Sequence, residues 1–274
     1  MAGRGLAKTI FGVIVALGAT VSLGHAQQCG NDGSGFNAWK GQFAQRAAAS
    51  GIGQRGLDAL QGTSYATRTI SADRRQGGGF TLTLDQFLER RGGNAIVSRG
   101  IQLKRQHADL LNRIERVYGV PAGPLMAIWG METGFGGFLG NENILSAVAT
   151  LAYDCRRSEF FSEHLIGALR LVDQGNLSPQ AKGAAHGEIG QTQFLPGNVV
   201  LYGVDGDGDG RIDLIGSHAD ALASTANFLR GHGWRPGAGY QEGEPNFVAI
   251  QGWNAARVYQ QAIAVLGARI DAAN

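Results

Sequence analysis

The sequence predicts a mainly α-helical protein, and three observations carry that prediction. Apolar residues recur three and four positions apart through most of the chain, as in Phe36, Trp39, Phe43 and Ala47. No alternating apolar–polar run extends beyond a few positions, so the pattern contains no half-buried strand of ordinary length. The 44 glycines punctuate the helical segments and imply many loops and close helix contacts. At 274 residues the chain is long enough to bury one large core or two lobes in contact.

The N-terminus reads as an export signal. Arg4 and Lys8 precede an apolar run at 10–17, and Gly24-His25-Ala26 supplies small residues for cleavage near Ala26. The run is short for a membrane span, so a cleaved signal peptide over 1–26 is the reading and an uncleaved membrane anchor the alternative. Ala26-Gln27-Gln28 lacks the small residue expected before a lipidated Cys29. Loss of 1–26 removes Arg4 and Lys8 and no acidic residue, taking the formal charge from +2 to zero. Neither nucleic acid nor a charged membrane surface is therefore implied as a partner. Cys29 and Cys155 are an even pair in an exported chain and are expected to form a disulfide, with two free thiols as the alternative.

The elements follow in order. Residues 27–35 read as a loose arm rich in Gly, Asn, Asp and Ser. A first helix ends at Gly51 and a second, short one covers 53–61. The polar, basic stretch 64–79 ends in three glycines and reads as an extended linker. Thr83-Leu84-Asp85-Gln86 is a capping box opening a helix through Arg90. From Ala95 to Val117 the apolar spacing traces one long amphipathic helix, closed by Gly119. Pro121 and Pro124 suit the first turn of the next helix. Residues 143–153 and 156–172 read as two more helices, and Ser178-Pro179 as the start of another. Residues 198–204 lead into an acidic loop, 217–229 form a helix, and 247–270 form one last long helix.

One carboxyl group stands out. Leu125, Met126, Ile128 and Trp129 make the helix after Pro121 apolar on nearly every side, as a buried helix is. Gly134, Gly136 and Gly137 break it within a turn of Glu132. A carboxyl group there, beside the rings of Trp129, Phe135 and Phe138, is poorly hydrated, has a raised pKa and can serve as a general acid. From spacing alone, an idle solvated helix-end glutamate is the alternative.

The segment Glu132-Thr133-Gly134-Phe135-Gly136 resembles the Glu-Thr-x-x-Gly motif of the soluble and membrane-bound lytic murein transglycosylases of the B type. Further blocks of that family's pattern follow in the same order. They are Ala149-Thr150-Leu151-Ala152-Tyr153, Arg156-Arg157-Ser158-Glu159-Phe160-Phe161, and Gly187-Glu188-Ile189-Gly190-Gln191-Thr192-Gln193-Phe194-Leu195-Pro196. Asp205-Gly206-Asp207-Gly208-Asp209-Gly210 comes next, then Ala226-Asn227-Phe228, His232-Gly233-Trp234, and Trp253-Asn254 with Tyr259. The resemblance runs from about Phe36 to the C-terminus. It implies a lysozyme-like catalytic core over 93–274, an additional helical lobe over 27–92, and a calcium-loop insertion at 205–220. It also implies a periplasmic carbon–oxygen lyase that acts on peptidoglycan glycan strands and needs no catalytic cofactor. A monomer is expected, with other wall-remodelling proteins as further partners.

In that family one glutamate does the chemistry, and the resemblance assigns the role to Glu132. It protonates the MurNAc–GlcNAc bond and then takes the proton of the MurNAc C6 hydroxyl, which closes a 1,6-anhydroMurNAc ring. Gln193, Asn254, Tyr259 and Trp253 match groove positions, and packing within helices is the competing reading. Arg157, with Arg156, matches an arginine pair that could meet stem-peptide carboxylates, or else pair with Glu159 or Glu163. Ala184, Gln191 and Phe228 depart from the family's groove residues. Glu188 stands where the family often has alanine. It is either a second carboxylate, which would make a hydrolytic muramidase, or a loop anchor. A non-catalytic peptidoglycan-binding protein is the remaining alternative.

The acidic loop reads as a site for structural calcium on its own residues. Asp205, Asp207 and Asp209 hold positions 1, 3 and 5, Gly210 allows the turn at 6, and the Arg211 carbonyl would serve at 7. Gly216 replaces the usual bidentate glutamate at position 12. The family's completing aspartate is matched by Asp220, which Ser217 also places in a capping box. The histidines at 107, 164, 186, 218 and 232 show no metal-ligand spacing.

Overall fold

The apolar stretch after Pro121 becomes the axis of the fold. The structure, a computed structural model, describes residues 29–75 and 82–273. The expected signal peptide and the glycines at 77–79 lie outside the described residues. Helix α7 (Ala122–Thr133) buries every one of its residues except Glu132. An all-round apolar helix is stable only inside a core, and here α5 (Gly93–Gln106) and α13 (Arg257–Asp271) pack along it. The α7–α13 crossing depends on glycine: a Cβ on Gly123 would lie 2.3 Å from the carbonyl oxygen of Gly267.

A second layer forms around α8 (Ile144–Tyr153) and α9 (Ser158–Asp173). Helices α1 (Phe36–Ala49), α2 (Gln54–Gln61) and α3 (Thr67–Arg74) lie on these two. Phe36, Trp39, Tyr65 and Tyr153 meet there edge to face and tilted. The arm expected to be loose is pinned over its described part. Cys29 is bonded to Cys155, and Gly30 exchanges backbone hydrogen bonds with Tyr153 and Cys155. The only sheet among the described residues pairs β1 (Glu142–Asn143) with β2 (Lys182–Gly183), antiparallel.

Thr83 makes both halves of its capping box at the start of α4 (Leu84–Arg91), and Gly119 closes α6 (Ala108–Tyr118) with a left-handed backbone. Four expectations fail, two for tertiary reasons and two for local ones. Residues 67–74 are helix and not linker, because the polar Asp73 is buried among arginines of the next layer. The expected long helix 95–117 breaks at His107, whose ring packs on His218 and Trp129. Ser178-Pro179 starts no helix; the Ser178 hydroxyl accepts the Gln180 N–H and the segment turns into β2. Helix α10 (Pro196–Tyr202) occupies the stretch read only as a lead-in, with proline in its first turn.

The last helix is also divided, into α12 (Phe247–Trp253) and α13. Asn254 is extended between them, and its Oδ1 accepts the N–H of Ala256. An Asn side chain that binds the backbone in this way competes with helix continuation. The break sets Trp253 and Tyr259 toward the end of α7. Helix α11 (His218–Gly231) follows the acidic loop and packs against α6, α10 and α12.

Candidate active site

Glu132 is the last turn of α7 made useful. The chain leaves the helix through Gly134, Phe135 and Gly136, three successive residues of positive φ. Phe135 (φ 62°) holds this costly conformation by packing edge-on to Trp129, with centroids 5.5 Å apart. Thr133 ties the exit to the facing turn: its hydroxyl donates to the carbonyl of Gln191 at 2.6 Å and accepts the N–H of Gly136. The rings at the carboxyl group differ from those expected. Phe138 is exposed, Trp129 stacks on His218, and it is Tyr259 and Trp253 that reach Glu132.

The Tyr259 hydroxyl (2.7 Å) and the Trp253 indole N–H (3.0 Å) both donate to Oε1 of Glu132. Trp N–H can only donate, so Oε1 behaves as the carbonyl-like oxygen and Oε2 is the one left for a proton. Burial raises the pKa of Glu132, Glu188 adds to the rise, and the two hydrogen bonds and Arg91 only partly oppose it. Burial beside Glu132 likewise pushes the Tyr259 hydroxyl well above its ordinary value, so it stays a donor. Arg91 lies over the Tyr259 ring at 5.7 Å and donates to the Met131 carbonyl. No spacing in the sequence pointed to Arg91.

A cleft of about 250 Å³ opens in front of Glu132. Glu188, Gln193, Asn198, Phe228, Trp253 and Asn254 line it. The 189–194 turn is closed by two hydrogen bonds between Ile189 and Phe194, and only glycine fits at 190, where a Cβ would lie 2.1 Å from the Leu214 carbonyl oxygen. Gln193 (φ 56°) donates to the Gly190 carbonyl at 2.7 Å. Gln191 turns inward, to Ile215, rather than to the cleft. Trp253 packs edge to face on Phe194 and Phe228, at 5.3 and 5.1 Å. Of the expected groove residues, Gln193, Trp253 and Asn254 reach the cleft and Tyr259 stands behind the acid.

Glu188 has a different setting. The His186 N–H donates to its Oε2 at 3.0 Å, and His186 Nδ1 lies 3.3 Å from its Oε1. Burial opposes the charge on Glu188, but the His186 contacts outweigh it and hold the carboxyl below its usual range. On its far side His186 Nε2 is 3.9 Å from Asp73. Arg157 and Arg156 both converge on Asp73, and Arg74 joins it to Asp154. Burial works against the charge of Asp73, and the two guanidiniums outweigh it. The alternative partners foreseen for the arginine pair are corrected: Glu159 and Glu163 take Arg46 instead. Arg157 does not line the cleft, and neither Asp73 nor His186 was legible as part of the site.

In the acidic loop, carboxylate oxygens of Asp205, Asp207 and Asp209 come within 4.8 Å of one another. Asp205 also accepts the N–H groups of Gly208, Asp209 and Gly210, which wraps the loop about the cluster. An all-oxygen set of this kind fits a hard cation such as calcium. Asp220 stands outside that trio and accepts two of the loop's own N–H groups, those of Gly206 and Asp213, while Ser217 caps its helix.

The transglycosylase SLT domain matches residues 35–243. Over 143 residues the chain is 39% identical to the membrane-bound lytic murein transglycosylase B of Escherichia coli (strain K12). That stretch is 52% of this chain and 39% of that protein, so the match spans well under half of the relative. A crystal structure of SltB3 from Pseudomonas aeruginosa in complex with NAG-anhNAM-pentapeptide aligns with a TM-score of 0.80 and 30% identity, over 88% of this chain and 80% of that one. The Escherichia coli lytic transglycosylase Slt35 in complex with calcium aligns with a TM-score of 0.74 and 25% identity, over 91% of this chain and 97% of that one.

Proposed function

Because the chain belongs to the lytic murein transglycosylase family and has its mainly helical, lysozyme-like fold, we propose that it cleaves the MurNAc–GlcNAc bond of peptidoglycan and leaves a 1,6-anhydroMurNAc end. The observation that carries the reading is Glu132, whose Oε1 is held by two donors while Oε2 is left for a proton at a cleft. The likeness to SltB3, solved with NAG-anhNAM-pentapeptide, supports the product class.

Protonated Glu132 gives its proton to the leaving oxygen of GlcNAc as the C1–O bond breaks. The charge that develops on the sugar then meets the newly formed carboxylate. That carboxylate removes the C6 hydroxyl proton as the C6 oxygen bonds to C1, which closes the ring and restores the acid. A raised pKa suits a group that must be acid and then base at neutral pH. Tyr259 and Trp253 fix the oxygen that does not carry the proton. Gln193, Asn254 and the Phe228 face supply sugar contacts. Arg157 is assigned to holding α3 through Asp73 rather than to a stem carboxylate.

Asp205, Asp207, Asp209 and the Arg211 carbonyl would hold a structural calcium ion, with Asp220 shaping the loop around it. The chain is read as exported to the periplasm through its first 26 residues; among the described residues no helix is long and apolar enough to cross a membrane.

Mass spectrometry of muropeptides released from purified peptidoglycan tests the reading. The expected products are one water lighter than their hydrated forms and are absent with Glu132→Gln. Release that persists in Glu132→Gln would remove Glu132 from the role.

A further inference from the structure

The one-glutamate reaction leaves Glu188 without work, yet it is the second carboxyl group on the same cleft. Glu132 enters from the end of α7 and Glu188 from the loop just before the 189–194 turn. Their partners are of opposite kind. Glu132 meets an indole and a phenol, whereas Glu188 is gripped at both oxygens by His186, whose side chain is only 14% exposed. His186 is backed in turn by Asp73 at 3.9 Å. Glu188 keeps a side-chain exposure of 23%, so its carboxylate still reaches the cleft.

We infer that Glu188, positioned by His186, gives this site a second outcome: hydrolysis of the same bond by a water molecule activated on Glu188. The inference rests on the transglycosylase reading above. Glu132 donates its proton to the leaving oxygen and the C1–O bond breaks. Water then attacks C1, and the proton that it loses passes to the Glu188 carboxylate. One water is consumed, and the products are a free hydroxyl on the leaving sugar and a hydrated, reducing MurNAc end. Glu188 returns its proton to solvent, and Glu132 is reprotonated from it. Burial raises the pKa of Glu132 while the His186 contacts lower that of Glu188, so the two carboxyl groups are shifted apart in the sense that acid and base at a glycosidic bond require. The charged groups that face the pair are Arg91 on the Glu132 side and His186, then Asp73, on the Glu188 side.

The experiment uses peptidoglycan pre-reduced with borohydride, so that every new reducing end comes from the enzyme, and measures hydrated and anhydro ends together. The chain is expected to yield both. Glu188→Gln, which can still accept the His186 N–H, should lower the hydrated-to-anhydro ratio by roughly 10²-fold. His186→Ala should lower it less and move the acid limb of the hydrated product's pH profile upward, because Glu188 then ionises at higher pH. A merely structural loop anchor would lower both products together and leave the ratio alone, which overturns the inference. Anhydro ends alone from the parent chain would overturn it while leaving the transglycosylase reading intact. No release of either kind would sink both readings.

Discussion

Glu132 and Asp205 are both carboxyl groups at the start of a glycine-rich loop, and the fold treats them in opposite ways. Glu132 is enclosed between α7, α12 and α13, and burial raises its pKa. Asp205 is exposed and receives three backbone N–H groups, that of Gly210 foremost, which hold its carboxyl below the usual range. Asp220 shows which factor is stronger. It too accepts two backbone N–H groups, but it is buried, and its pKa is raised. At Asp220 burial, with the nearby Asp207 charge, outweighs the two backbone donors. The cleft is thus built to retain a proton and the loop to present charge.

The sharpest way to break the contrast is Glu132→Gln. Anhydro-product release should fall by about 10³-fold, near the middle of the range for loss of a general acid. Stability should respond in the other direction. A pKa raised in the folded state means that the contribution of protonated Glu132 is complete below the unfolded value of 4.5 and is lost as pH rises through the folded one. Thermal melts should therefore show Glu132→Gln gaining on the parent as pH rises, with the difference between the two independent of pH well below the unfolded value. A constant offset across pH would mean that the carboxyl group is not desolvated.

A smaller change should come from Tyr259→Phe, which removes the shorter of the two bonds to Oε1 and leaves the ring against Phe87. Release should fall by roughly 10- to 100-fold. Because the Tyr259 hydrogen bond lowers the pKa of Glu132, its loss should also move the alkaline limb of the rate profile upward. A limb that stays in place would show that another group sets it.

How much of this was legible beforehand depended on how local the signal was. Glu132 is marked by its own neighbours, an unbroken apolar helix followed by glycines, and the Cys29–Cys155 bond by there being two cysteines to pair. The loop aspartates are likewise spaced within one turn of chain. Trp253 and Tyr259 lie 121 and 127 positions from Glu132. The family pattern pointed to them as groove residues, but their grip on the acid needed the break at Asn254, and periodicity ran straight across it. Asp73 sat in a stretch so polar that it read as linker, because burial of a carboxylate beside arginines leaves no apolar trace. His186 is two residues from Glu188, a separation that carries no helical or strand meaning in a loop.

Within the loop, Asp220 and Asp205 sharpen the comparison at the smaller end. Asp220→Asn replaces an acceptor oxygen by an NH₂ group facing a backbone N–H, leaving a buried donor unmatched. That costs about 1–3 kcal/mol, and melts should show it with or without calcium.

Asp205→Asn should change the calcium-free protein little, since the side chain is exposed and its amide oxygen can still accept backbone N–H groups. What it should remove is the response to the ion. A ligand that binds only the folded state stabilises by about 2.7 kcal/mol at a hundred times its Kd, so calcium should raise the melting temperature of the parent and not that of Asp205→Asn. Chelator should return the parent to the variant's value. Cleft and loop also share α11, which starts at the loop's end and carries Phe228 into the cleft. If the ion only braces the loop, the hydrated-to-anhydro ratio will be the same with calcium and with chelator. A ratio that shifts with calcium would show that the charge-presenting loop reaches the proton-retaining cleft through α11, and the two regions could no longer be treated as independent.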